Sequence, residues 1–579
     1  MRGGSGLVGC ASMRGEGVCM DRKASAWQQL RRLGRTFPVL FWFFLALGWA
    51  LRLYLALLPL SALLILLEDD AWMVTAIARN FALGQGLTAD GLNPTNGFHP
   101  LYPLTLGALP YLVAPQSLDG GFRANLILCA LLGTIAVFPL YRWTERLAGK
   151  GAALLAAALY LLNPYFARVT VNAMETSLGL LLFLLLAERF LRPGQRSWPA
   201  TLATGILGGL AGLARLDNFL LAAFLGLALL SDTFRRRTRS AALLGYIAGV
   251  ALIALPYLGW NQAVFGSPMP SSGRALAYMH SYAESFSLTN ILHFLYLNPA
   301  LHLGFLPSPW VALLLGGVLL LGYFAWLPSE ARRTLLPVAG AVLTQLLYYA
   351  YIQQNSNPRY FVAAGACFCL YLGCVVQRVM ERWRAAGRAL AVALAVLAVG
   401  LNTTEAIGSY RTALRMPELT QPSVYQAALW VRSALPPDAR LAAKNSGILQ
   451  YYSGHVVLNI DGKLNADIVP VLEERQLLRY LREKGVTYVV DRRAALEKHL
   501  ALYSEEFGPW PAHPEIGLGE RLRIYKQLLW SRLGLGNPPM LDDPSGFHPT
   551  RALEEVLEPV QEFPRPNAPG DPVVVYRLW

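Results

Sequence analysis

Eleven apolar runs, each about long enough to cross a bilayer, constrain this chain more than anything else in it. They fall at roughly 37–58, 122–141, 151–167, 174–191, 199–214, 217–231, 241–258, 308–327, 334–351, 359–377 and 389–404. Only 15% of the residues are charged and 54% are hydrophobic, against about 25% charged in soluble domains. The fold class that follows is a polytopic α-helical membrane protein.

A further segment, 99–115 (HPLYPLTLGALPYLVAP), is apolar but carries four prolines. The positive-inside rule decides how it is read. If it does not cross, one side receives residues 1–36 and loops 142–150, 188–197, 232–240, 329–333 and 378–388, with nearly all the Lys and Arg before residue 404. The other side receives only Arg79, Arg123, Arg168, Arg215, Arg274 and Arg359. We therefore expect 99–115 to be interfacial or re-entrant, with outer loops at 59–121 and 259–307. The net charge of +14 is then a matter of topology, and no nucleic-acid partner is expected. Residues 1–36 read as a disordered cytoplasmic N-terminus, and 37–404 as the transmembrane domain.

Beyond residue 405 the composition becomes that of a soluble domain. Tyr425–Leu435 and Val469–Lys484 read as helices, the second capped by Gly485, and 440–443, 456–460 and 486–490 as strands. This predicts a small extracytoplasmic α/β domain over 405–579, with a Pro/Gly-rich extended tail from about 535.

The densest chemistry lies in Glu68–Tyr102, EDDAWMVTAIARNFALGQGLTADGLNPTNGFHPLY. Three adjacent acids at the mouth of a span are costly to bury and mark a functional candidate. A solvated helix N-terminus is the plainer explanation. A half-buried Asp69 or Asp70 suits proton abstraction from a hydroxyl. Arg79-Asn80 follows on the same helix, and His99 lies in the turn before Pro100. Arg359-Tyr360, at the mouth of a span, and Arg215, between two short helices, are candidates to grip a lipid phosphate. Arg215 also has a local partner in Asp217. Glu175 reads as the N3 acid of a helix capped by Asn172.

The six cysteines form no zinc pattern, and there is no P-loop or GxSxG elbow. No metal or other cofactor is expected, although Glu68-Asp69-Asp70 offers oxygen ligands to a divalent cation.

Taken together, EDDAWMVTAIARNFALGQG, NGFHPLYP, NAMETSLGLLLFLLL, FGSPMPSSGRA, NPRYFV and NSGILQYYSGHVVLNIDGKLNADI resemble the GT-C superfamily of membrane glycosyltransferases. The likeness leans towards the bacterial arabinofuranosyl- and mannosyltransferase type. No WWD-type motif occurs, which speaks against an oligosaccharyltransferase. Ala71-Trp72 after the acids fits the protein O-mannosyl and aminoarabinose branches less well. The resemblance implies an inverting transfer of sugar from a polyprenyl-phosphate donor to a glycan, lipid or protein hydroxyl, outside the bacterial cytoplasmic membrane. It makes Asp69 the first choice of base and Asp70 the second. The rival reading is a transporter or flippase of lipid-linked sugars, for which broken helices and paired repeats are lacking.

Overall fold

A computed structural model describes residues 37–192, 196–237, 239–275, 329–349, 357–383, 419–507 and 552–579, with isolated positions between 385 and 400. Residues 1–36, most of loop 259–307, span 308–327 and most of span 389–404 lie outside the described residues.

Among the described residues four helical stretches are long and apolar enough to cross a membrane: Val39–Ala56, Leu118–Leu161, Ser240–Phe265 and Pro358–Arg382. Thr176–Phe190, Trp198–Ala214, Asn218–Phe234 and Ser329–Tyr348 fill four more of the expected positions with 15 to 20 residues each. The break expected at 142–150 falls at Gly149, which is non-helical (φ 83°) within Val137–Leu161, whereas Ala136, between Leu118–Ile135 and that stretch, keeps helical angles. Segment 99–115 forms two helices of only four and five residues, Leu101–Leu104 and Leu109–Val113. At ~1.5 Å per residue neither reaches across a bilayer.

Small residues set the tightest packing. A Cβ on Gly205 would stand 2.1 Å from the Tyr246 carbonyl oxygen, and one on Gly249 2.3 Å from that of Leu202. Helices Trp198–Ala214 and Ser240–Phe265 thus touch backbone to backbone, as small interfacial residues allow in membranes. The far face of Ser240–Phe265 exposes Leu244, Ile247, Leu252 and Leu255. Arg52, fully buried in the first helix, donates to the Gly48 and Leu161 carbonyls at 3.1 Å, so a helix end absorbs its charge.

The C-terminal region is a mixed sheet flanked by helices. Its strands are β1 (Arg440–Ala443), β2 (Val456–Asn459), β3 (Tyr488–Arg492), β4 (Leu557–Phe563) and β5 (Val573–Leu578), in the order β2-β1-β3-β5-β4. β1 runs parallel to β2 and β3, while β5 is antiparallel to β3 and β4. Two expectations are corrected. The described part of the expected tail, 552–579, is no extended wrap: its continuous apolar run Val573-Val574-Val575-Tyr576 forms a strand between β3 and β4, buried on both faces. The helix expected at 469–484 splits into Ile468–Glu473 and Leu477–Glu483, because Arg475 turns to φ 56°. Its guanidinium then caps the carbonyls of Ala501, Leu502 and Ser504.

Sheet and membrane helices share one core. Trp72 stacks on Phe122 at 4.9 Å, Phe122 meets Tyr451, and Ala71 and Ala76 pack with Ile448, Leu449, Val457 and Val490. Helix Gly447–Ser453, which follows the carboxyl end of β1, packs against helix Asp70–Ala82, on the edge where α/β sheets present ligand-contacting loops.

Candidate active site

Asp69 and Asp70 are neighbours in sequence but turn to different partners. Asp69 is only 9% exposed. Its Oδ2 accepts the N–H of Gly447 at 2.7 Å and its Oδ1 that of Ile448 at 2.9 Å, both at the start of helix Gly447–Ser453. Gly447 is needed there, because a Cβ would stand 2.3 Å from the Asp69 carbonyl oxygen. Burial raises the Asp69 carboxyl, and the two N–H bonds only partly offset this, leaving it pushed up to about 6. That value would suit a base, but both oxygens are occupied by the other domain. Asp69, the first choice of base, thus has both carboxylate oxygens engaged in a contact with the sheet region.

Asp70 keeps a quarter of its side chain exposed. Arg359 donates to its Oδ2, and the Lys463 ammonium lies 3.6 Å from its Oδ1. Burial alone would raise this carboxyl, but Lys463 and Arg359 outweigh it and hold Asp70 below the usual carboxylate range. Arg359 also lies 2.9 Å from Glu68, whose other oxygen accepts from Asn357 at 2.6 Å. Its guanidinium stacks over Tyr360 at 5.2 Å, and Tyr360 stacks on Tyr349 at 4.4 Å. The Pro358 ring begins the short 3-10 turn that aims Arg359 at the acids, with Asn357 capping the Arg359 N–H.

A second layer lies behind Tyr360. Arg215 is buried, pairing with Asp217 at 2.9 Å and Glu175 at 3.3 Å, with its guanidinium 5.5 Å from the centre of the Tyr360 ring. Gln345 and Tyr349 donate to the same Asp217 oxygen at 2.7 and 2.8 Å. His99 accepts the Leu216 N–H at Nδ1 (3.1 Å), so its proton sits on Nε2, 3.8 Å from Glu175. Burial lowers His99 despite the pull of Glu175, which keeps the ring neutral.

The structure thus brings together Asp70, Arg359, Tyr360, Arg215 and His99 of the expected residues. It withdraws two. Asn80 is buried and spends its amide on the Thr88 and Ala89 carbonyls, which shapes the following turn. Arg79, nine residues past Asp70 at about 100° per residue, faces the opposite side of its helix, where its charge acts on Tyr111 and Tyr451. Arg215, expected at a lipid phosphate, is buried and paired with Asp217 and Glu175.

Two members were missed. Asn172 does cap its turn, accepting from Met174, but Glu175 leaves that box and reaches Arg215. Lys463 comes from the other domain, and only its place in NIDGKLNADI marked it. The three acids do not converge as a cation site: Glu68 and Asp70 share Arg359, while Asp69 turns away. Among the described residues no group of three or more acidic, His or Cys side chains is placed to hold a metal.

Residues 117–260 match the family described as Dolichyl-phosphate-mannose-protein mannosyltransferase, and 399–527 match a domain of unknown function, DUF8728. The archaeal oligosaccharyltransferase AglB from Archaeoglobus fulgidus, solved with an inhibitory peptide and a dolichol-phosphate, superposes with a TM-score of 0.54 at 14% identity. The match covers 80% of this chain and 71% of that one. The chain shares the GT-C superfamily's fold. ArnT from Cupriavidus metallidurans, bound to undecaprenyl phosphate, gives 0.48 at 15% identity over 78% of this chain and 93% of that one. Mycobacterial arabinofuranosyltransferase AftD gives 0.48 at 17% over 78% and 35%. Both likenesses are too slight to bear on the fold. No curated protein sequence matches the chain significantly. The GT-C likeness to AglB concerns the fold and not the reaction, and it stands beside the lack of a WWD-type motif.

Proposed function

We propose that this GT-C protein transfers a sugar from a polyprenyl-phosphate donor to a hydroxyl acceptor, with inversion, at the outer face of a bacterial cytoplasmic membrane. The observation that carries the reading is Asp70, a part-open carboxylate beside Arg359 at the junction of the two domains. Asp70 takes the acceptor proton as its oxygen bonds to the sugar C1. The bond from C1 to phosphate breaks, and Arg359, held flat over Tyr360, receives the charge left on the phosphate. Arg215, Asp217, Gln345 and Tyr349 fix Tyr360 and so act through it. Neutral His99, with Nε2–H free to donate, suits contact with a sugar hydroxyl or phosphate oxygen. The outer-face orientation rests on the distribution of Lys and Arg in the sequence.

Membranes carrying the wild-type chain, offered a panel of radiolabelled polyprenyl-phosphate sugars, should convert one of them to a heavier glycosylated product. Donor that crosses the membrane without any transfer would instead support the transporter.

A further inference from the structure

The loop Asp461-Gly462-Lys463, between β2 and helix Ile468–Glu473, is left without a role by the reaction above. Its backbone is closely held. A Cβ on Gly97 would lie 1.6 Å from the Lys463 carbonyl oxygen, so this loop and the turn carrying His99 meet main chain to main chain. Gly462 adopts φ +81° against Ala275, and the Lys463 N–H donates to Asp461 Oδ1 at 3.0 Å. Asn96, beside Gly97, accepts from the Ser271 N–H at 2.9 Å and donates to Asn261 at 3.2 Å. Three separate segments therefore fix where Lys463 starts.

Its ammonium is held far less closely. It lies 3.6 Å from Asp70 and 3.5 Å from Asp461, beyond the usual range of a direct N–H···O bond, and about a third of the side chain is open. A fixed stem that ends in a loosely paired charge, at the edge of the site, is suited to changing partners.

We propose that Lys463 is a second ligand of the donor phosphate, supplied by the C-terminal domain, and that its move from Asp70 to the phosphate readies Asp70 as the base. This rests on the transferase reading. Before the donor binds, two cations engage Asp70, and a carboxylate so paired is a weak proton acceptor. A phosphate entering between Arg359 and Lys463 gives the ammonium a stronger partner. Asp70 then keeps one cation fewer and becomes more basic. The acceptor hydroxyl passes its proton to Asp70, its oxygen bonds to C1, and the C1–O bond to phosphate breaks. The electron pair leaves with the phosphate, whose charge is shared by Arg359 and Lys463. Base strength is thus tied to an occupied donor site.

The test uses the full chain in nanodiscs with undecaprenyl phosphate as the probe, comparing wild type, Lys463→Gln and Lys463→Arg. The Gln variant should bind the probe roughly ten- to hundredfold more weakly, as loss of a charge-assisted bond implies. The Arg variant should stay within several-fold of wild type. In transfer assays the acid limb of the pH profile should move upward in Lys463→Gln. Asp70 then faces only Arg359 as a cation, with Glu68, Asp69 and Asp461 opposing it. Equal probe affinity in wild type and Lys463→Gln would overturn the proposal. Equal losses in the Gln and Arg variants would also overturn it, since they would mark a packing role. A wild type that binds no probe at all would sink the transferase reading and this inference together, which tells the two failures apart.

Discussion

The Asp69 carboxylate accepts the N–H groups of Gly447 and Ile448 at 2.7 and 2.9 Å, from residues 378 and 379 positions further along the chain. This contact joins the first polar segment of the membrane domain to the sheet domain, directly beside the Asp70–Arg359 pair. The two adjacent acids thereby have different partners, Asp69 the Gly447 and Ile448 N–H groups and Asp70 the Arg359 guanidinium.

The raised Asp69 carboxyl makes a pH signature. Its unfolded value is near 3.8 and its folded value about 6, so between these the folded chain binds the extra proton. Its contribution to stability is then fully present at the acid end of this window and lost as pH rises through about 6. His99 and His499 act the other way, because burial lowers both. The readout is therefore the stability of wild type minus that of Asp69→Asn in nanodiscs, measured from pH 7.5 to 4.5. We expect this difference to shift in favour of wild type by about 2 kcal/mol on acidification. A flat difference would mean that Asp69 is not buried in this way.

Gly447→Ala tests the same junction sterically. The added methyl meets the Asp69 carbonyl oxygen at 2.3 Å and the Met73 nitrogen at 2.9 Å, both backbone atoms that cannot swing aside. A loss of about 1–3 kcal/mol is expected, with faster proteolysis of the C-terminal domain. Gly454→Ala, on the same helix's far end with open space around it, tests strain alone, since its φ is +75°. Domain release should be specific to Gly447→Ala.

Arg359→Lys retains a positive charge but not the flat guanidinium that spans Glu68 and Asp70 over the Tyr360 ring. We expect the donor KM to rise about tenfold or more, because a point charge does not replace a bidentate, stacked contact. A KM unchanged from wild type would show that simple charge suffices.

The positions of most of the described apolar helices, the three parallel strands and the clustering of acids at the end of an apolar run could be read from the sequence because each is a local pattern. Apolar length marks the helices, β-branched runs mark β1 to β3, and three acids beside an apolar run mark the candidate site. What could not be read depends on the other domain. Nothing local distinguishes Asp69 from Asp70; Gly447 and Ile448 do. Glu175 satisfied a local capping rule, yet its side chain answers to buried Arg215, 40 residues on. Asn80 is the opposite case: its partners, Thr88 and Ala89, lie so near in sequence that a local turn accounts for its amide bonds. The final strand was hidden by the Pro/Gly-rich stretch around it, since pairing with β3 and β4 rather than propensity places it in the sheet.

The most direct test of the account compares Asp70→Asn with Asp69→Asn in transfer from the active polyprenyl-phosphate sugar, with both variants in nanodiscs. Asp70→Asn should lower kcat by roughly 10²–10⁴-fold, the usual worth of a general base, while still binding undecaprenyl phosphate. Asp69→Asn should keep kcat within about tenfold of wild type. Full activity in Asp70→Asn, or loss of catalysis confined to a well-folded Asp69→Asn, would contradict the assignment of the base.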